Sequence, residues 1–162
     1  MTLSFSVNPG VALQGQLSYI RSEHSFMYQV VDRSRLAEEI GDQGVTSLVI
    51  DTLQLEVGVE HGRVLFAWGY HPMGGWSTTD LTEPECIPGQ VSVRSDEALL
   101  PGVSVPLPGD AWLTRYDPAN QLVRVSPIPD ESERCVRIAQ GVALGITGSR
   151  LTEVWLRPTF EE

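Results

Sequence analysis

Between Leu53 and Tyr70, apolar and polar positions alternate on both sides of Glu60-His61-Gly62-Arg63, which predicts a β-hairpin with Gly62 supplying a positive φ in a two-residue turn. With Glu60 opposite Arg63, Val59 faces Val64, Val57 faces Phe66, Leu55 faces Trp68 and Leu53 faces Tyr70. One side is then wholly apolar or aromatic, so Trp68 and Tyr70 are expected to point into the core. A second hairpin is read from Trp112 to Ser126, with Asp117-Pro118-Ala119-Asn120 as turn chemistry and a four-residue loop. It sets Trp112, Thr114 and Tyr116 against Pro127, Val125 and Val123, and Arg115 against Arg124. Like charges directly opposed must splay into solvent or hold a carboxylate or other anion between them. Val142 to Ile146 and Leu151 to Leu156 flank Gly148-Ser149 as a third hairpin, whose register stays open because either choice places Glu153 awkwardly.

Gln16 to Arg21, Ser25 to Val31 and Gln90 to Arg94 read as further strands. The segment 131–143 is open between helix and strand, and its β-branched Val136 and Ile138 tip it to strand. Asp32 to Ile40 predicts the one helix, over about 33–40, with a capping Asp32 or Ser34 and Gly41 to end it. Residues 69–89 and 95–109, rich in Gly, Pro and acids, are expected as long loops, and no internal repeat is read. The fold class expected is α+β, mainly antiparallel β, with about seven to nine strands. A twisted sheet and a partly closed barrel both fit, in a single globular domain spanning 1–162.

Eleven arginines stand against 21 acids, for a formal charge of −10, and there is no lysine. The absent lysine removes Schiff-base and P-loop chemistry, and the acidity disfavours nucleic acid and acidic membranes as partners. Cys86 and Cys135, 49 positions apart, form no C-x-x-C pair; a disulfide framework is not indicated, though a single bond is compatible. Met1 to Gly10 lacks a basic and apolar leader pattern, and no apolar run approaches the roughly 18 residues of a membrane helix. A cytoplasmic, soluble protein without a membrane partner is expected.

His24, His61 and His71 have no metal-ligand spacing, so no metal site and no cofactor are expected. G-x-S-x-G is absent, and the acid pairs Glu38-Glu39, Glu83 with Glu85, Asp96-Glu97 and Asp130-Glu131 read as solvated loop residues. His71, Met73 and Trp76, following the strand among glycines and Pro72, can form a rigid exposed contact surface or simply turn the chain.

The acids are unevenly spread. Residues 32–63 carry seven acids against three arginines, and residues 76–97 carry five against one. A surface of one sign steers oppositely charged partners, although it also serves solubility alone. The reading favoured is a non-enzymatic binder that neutralises a basic protein, in the manner of an immunity protein or inhibitor. His71 and Trp76 would anchor it, and Asp80, Glu83, Glu85, Asp96 and Glu97 would pair with the partner's cations. The alternatives are a small-ligand binder or enzyme using Tyr70, His71, Arg115, Arg124 and Glu153 inside the sheet, and an accessory subunit or homo-oligomer joined through an exposed β edge.

Overall fold

The computed structural model describes residues 1–108, 111–127 and 131–162. Asp130, of one expected acidic pair, lies outside the described residues. In chain order the described elements are β1 (Leu3–Asn8), β2 (Gly15–Ile20), β3 (Ser25–Val30), α1 (Arg33–Ile40), β4 (Val45–Ile50), β5 (Leu53–Gly58), β6 (Val64–Tyr70), β7 (Ser77–Thr78), β8 (Ile87–Pro88) and β9 (Gln90–Ser95). They continue with β10 (Val105–Pro106), β11 (Leu113–Asp117), β12 (Leu122–Ser126), β13 (Arg134–Ala139), β14 (Val142–Thr147), β15 (Arg150–Leu156) and β16 (Thr159–Glu161).

The strands form two seven-stranded sheets, ordered β10-β4-β5-β6-β3-β2-β16 and β7-β11-β12-β15-β14-β13-β8, and a β1-β9 ribbon. Among the described residues the fold is mostly β with one α-helix and largely antiparallel pairing, as expected, but it has sixteen strands rather than seven to nine, because short edge strands form within the expected loops, and no sheet closes into a barrel. The two large sheets bury one core between them, including Leu48, Leu55 and Leu65 from the first and Val123, Leu144 and Leu156 from the second. The β1-β9 ribbon closes one end: Phe5 N–H donates to the Ser149 carbonyl and Val93 N–H to the Gly62 carbonyl, so it touches both hairpin turns.

α1 forms where expected, with Asp32 Oδ1 accepting from Arg35 N–H and Gly41 at φ 79° ending it. Residues 134–139 are a strand. The β11-β12 hairpin has the expected register and four-residue loop, including Arg115 opposite Arg124.

The β5-β6 hairpin departs from expectation. Its loop runs from Val59 to Arg63, because Val59 N–H leaves the hairpin to donate to the Gly44 carbonyl while Gly62 N–H donates to the Gly58 carbonyl. Gly62 does adopt a positive φ, and a β-carbon there would collide with the Val93 carbonyl. Val57 consequently pairs with Val64, and a bulge at Leu65 sets Glu56 opposite Phe66, Leu55 opposite Ala67 and Gln54 opposite Trp68. Leu53, Leu55, Val57, Leu65 and Ala67 face the core. Phe66 and Trp68 are half-buried on the outer face and Tyr70 is 54% exposed, so the inward placement of Trp68 and Tyr70 is corrected.

A repeat is present after all. Strands β2 to β6 occur in the sheet order β4-β5-β6-β3-β2, and strands β11 to β15 in the order β13-β14-β15-β12-β11. Each half places a bulge at the same point of its last hairpin: Val57 pairs Val64 and Glu56 pairs Phe66, while Ile146 pairs Leu151 and Gly145 pairs Glu153. Trp68 and Trp155 thus occupy equivalent positions, opposite Gln54 and Ala143.

The halves also exchange edge strands, always in parallel. β7 and β8, which follow the first half, pair with β11 and β13 of the second. β10 and β16 pair with β4 and β2 of the first.

Candidate functional site

His71 follows the end of β6 and turns into the space between the sheets, where it is 2% exposed. Its Nδ1 lies 2.7 Å from Thr52 Oγ1 and its Nε2 2.7 Å from Thr114 Oγ1. A neutral imidazole, with one donor and one acceptor, is satisfied by two hydroxyls. Burial pushes its pKa down to about 4, against an upward pull from Asp51. Trp76 is half-buried beside it, stacked on Phe26 at 5.9 Å and joined with Tyr19, Tyr116 and Phe160 in an aromatic cluster between the halves. The expected exposed contact surface at His71 and Trp76 is therefore interior packing.

Asp80, Glu83 and Glu85 belong to a strap, residues 79–86, laid over the outer face of the second sheet. It runs from β7 on one edge to β8 on the other without a turn. Six inter-strand spacings of about 4.8 Å separate those edges, and the residue steps from Thr78 to Ile87 at about 3.3 Å each span the same ~30 Å, so the strap crosses extended.

Asp117 anchors its start. Its Oδ2 accepts from Leu81 N–H at 2.9 Å, and hydrogen bonds from the backbone of Leu81 and from Asn120 hold its carboxyl below the usual carboxylate range. The Cys86–Cys135 disulfide pins the end, so the single bond that the sequence left open is formed. Between these points Leu81 and Cys86 pack on Leu122, Cys135, Ala143 and Trp155. Glu83 pairs with Arg157 at 2.6 Å, and Arg137 Nη2 donates to the Cys86 carbonyl at 3.3 Å. Glu83 is thus engaged within the molecule. Asp96 and Glu97 lie exposed at the far end of β9, where Asp96 accepts from Thr2 N–H, away from the strap.

The alternative residue set is divided in the same way. Tyr70 stands on the outer face of the first sheet and His71 between the sheets, while Arg115, Arg124 and Glu153 lie on the outer face of the second. Arg124 and Glu153 are both buried and pair at 2.6 Å, with Arg124 also 5.5 Å over the Trp155 ring. Glu153 further accepts from Ser132 N–H and Oγ. A carboxylate therefore does sit with the opposed arginines, but on the Arg124 side. Arg115 Nη1 is buried without a hydrogen-bond partner among the described residues.

Two features were not read from the sequence. Arg63 is buried, paired with Glu39, and lines a cavity of about 250 Å³ with Val11, Leu13, Arg35 and Asp32. On the outer face of the first sheet, Met27 and Tyr70 are 50% and 54% exposed around half-buried Trp68, and the His24 ring lies 6.3 Å from Tyr70. Glu56 shares this face; burial raises its pKa, opposed by neighbouring Ser47 and Trp68 groups. Glu23 and Asp51 are exposed at its end. The spacing of Arg63-Val64 to Trp68 and of Arg150-Leu151 to Trp155 is the signal in the sequence that relates this face to its counterpart.

Among the described residues no group of acids, histidines or cysteines is arranged to hold a metal, and no helix is long and apolar enough to cross a membrane. No protein-family model matches the chain, and no curated protein matches it.

Proposed function

We propose that this chain is a non-enzymatic binding protein that neutralises a basic protein partner, as an immunity protein or inhibitor does, and that the outer face of the first sheet is the engaging surface. The supporting observation is that face itself: exposed Tyr70 and Met27 around Trp68, with Glu56, Asp51 and Glu23 as carboxylates, on a chain of net charge −10. Aromatic anchors ringed by carboxylates suit a partner rich in Arg and Lys, whose cations pair with the acids and stack on the rings. Asp80, Glu83, Glu85, Asp96 and Glu97 contribute to the field that draws such a partner in. A cytoplasmic site of action requires Cys86 and Cys135 to be thiols there, because disulfides persist in oxidising compartments.

Affinity capture at low and high salt tests this reading, using the native chain, Tyr70→Ser, and Asp96→Arg with Glu97→Arg. One basic protein, released by salt and reduced about tenfold by Tyr70→Ser but less by the Asp96 and Glu97 changes, is the expected result. Retention indifferent to Tyr70→Ser would move the interface elsewhere, and no salt-sensitive partner would remove the reading.

The Arg63 cavity favours a second reading, a small-carboxylate binder, because a buried guanidinium lines it. A panel of amino acids and dicarboxylates in thermal-shift assays tests it: stabilisation lost in Arg63→Gln supports it, and no stabilisation by any member sinks it.

A further inference from the structure

The two repeated halves carry the same rung of outward-facing residues across five strands. In the second half, Arg115, Arg124, Trp155, Ala143 and Arg137 stand side by side, flanked by Ser77 on β7 and Pro88 on β8. In the first half the corresponding residues are Ser18, Met27, Trp68, Gln54 and Val49, flanked by Thr159 on β16 and Pro106 on β10. The tryptophan is kept at the centre of each row. Its surroundings differ in charge: β11 to β15 carry five arginines and two acids, whereas β2 to β6 carry Glu56 and no basic residue.

The second face is covered by the chain's own strap, which shows what kind of segment this surface receives. The strap is extended, crosses the sheet from edge to edge and sets Leu81 on the cluster containing Trp155; Glu83 pairs with Arg157 just after β15, Glu83 and Glu85 line one hollow with Arg137, and Asp80 lines another with Arg124. On the first half the corresponding edge strands are not joined by such a crossing, since β10 is reached from β9 through residues 96–104. α1 covers only the end of this face near the β5-β6 turn, where Ile40 approaches Gly58. Between α1 and Met27 lies an apolar groove of about 420 Å³, lined by Tyr28, Leu36, Ile40 and Phe66, with Arg33 of α1 beside it.

We infer that the first sheet's outer face binds an extended, basic peptide segment of the partner, laid across β2 to β4 as the strap is laid across β11 to β13, with an apolar side chain on Trp68 and a cation at Glu56. The inference rests on the binding reading above and specifies the form of the partner's contact. Charge complementarity fixes the sign: an acidic strap covers the sheet whose strands carry arginines, so the face whose strands carry a carboxylate and no arginine takes a basic one.

The probe is a synthetic capped heptapeptide with the strap's pattern and reversed charge, Arg-Leu-Thr-Arg-Pro-Arg-Ser, titrated into the full chain and followed by amide and indole NMR shifts. The control is its acidic counterpart, Asp-Leu-Thr-Glu-Pro-Glu-Ser. Saturable binding of the basic peptide below about 1 mM, with shifts at Trp68, Tyr70 and Met27, is expected, and the acidic peptide should be at least tenfold weaker. Met27→Arg installs the second half's residue on the rung and should weaken the basic peptide about tenfold, with an unchanged melting temperature confirming the fold.

Three results would overturn the inference: no binding at that concentration, equal binding of both peptides, or shifts centred on Trp155. Self-association abolished by Met27→Arg would also overturn it, by assigning the face to a second copy. If the basic peptide fails while a basic protein is still captured and lost with Tyr70→Ser, the extended mode falls and the binding reading stands. If both fail, both fall.

Discussion

His71 Nε2 and Thr114 Oγ1 lie 2.7 Å apart, and this contact joins the residue that follows the last strand of the first half to β11, the strand of the second half that receives β7. The imidazole is held from the other side by Thr52, so the bridge runs from the β4-β5 turn to β11 through a single buried ring. Its protonation state is therefore part of how the two halves stay together.

The acid limb of stability should carry this ring's signature. The folded pKa of about 4 lies below the ordinary value of 6.5, so His71 contributes stability that is fully present above pH 6.5 and lost as pH falls through 4. The shift corresponds to about 3 kcal/mol. In His71→Gln that share of the acid dependence should vanish from denaturant-derived stabilities measured between pH 7 and 4. An unaltered pH slope would show that the ring is not the titrating group.

Glu56 should act in the opposite sense. Its pKa is raised by burial, so its contribution is favourable below its ordinary value of 4.5 and is lost as pH rises through the folded value. Glu56→Gln should therefore raise the melting temperature at pH 7 and leave it nearly unchanged at pH 4. A lower melting temperature at pH 7 would mean that the carboxylate is paired more favourably than its surroundings indicate.

Breaking the buried Arg124–Glu153 pair from one side should cost about 3 to 5 kcal/mol, because an uncompensated charge is left behind. The corresponding residues of the first half are Met27 and Phe66, which supplies an apolar replacement already accommodated by the same framework. Arg124→Met with Glu153→Phe should recover most of the loss seen in either single change. Chemical denaturation of the three variants measures the coupling, and simple additivity would contradict the pairing.

Removing the disulfide with Cys86→Ser and Cys135→Ser should cost about 4 kcal/mol by the chain-entropy argument for a loop of this length. It should also free the end of the strap and wet the Trp155 indole. A red-shifted tryptophan emission at low denaturant, before global unfolding, is the expected observation; an unshifted spectrum would mean that Leu81 and Asp117 hold the strap alone.

Much of the fold was legible from local chemistry. The helix cap at Asp32, the strand at 134–139 and the β11-β12 register follow from turn residues and periodicity that act within a few positions. The β5-β6 register did not, because Val59 bonds to Gly44 and Gly62 abuts Val93, both outside the hairpin, and the bulge at Leu65 inverts every outward and inward position beyond it. Glu153 was awkward in either register for the same reason, since the matching bulge is what turns it outward. The repeat was obscured because equivalent positions on the two outer faces carry unlike residues, Arg124 against Met27 and Glu153 against Phe66, while the aliphatic interior resembles any β core. Of the candidate site residues, the charge sign was readable but the placement was not: whether Tyr70 or His71 faces solvent depends on that one-residue bulge.

The exchanged edge strands also order events during synthesis. Ser18 on β2 pairs with Thr159 on β16, so the first half emerges from the ribosome with one edge bare and completes its sheet only after the second half has been made. A stop codon in place of Thr159, which removes β16, should expose the β2 edge and loosen Tyr19 and Tyr116 together, since Phe160 lies against both rings. Strand β16 thereby decides whether the first half becomes native.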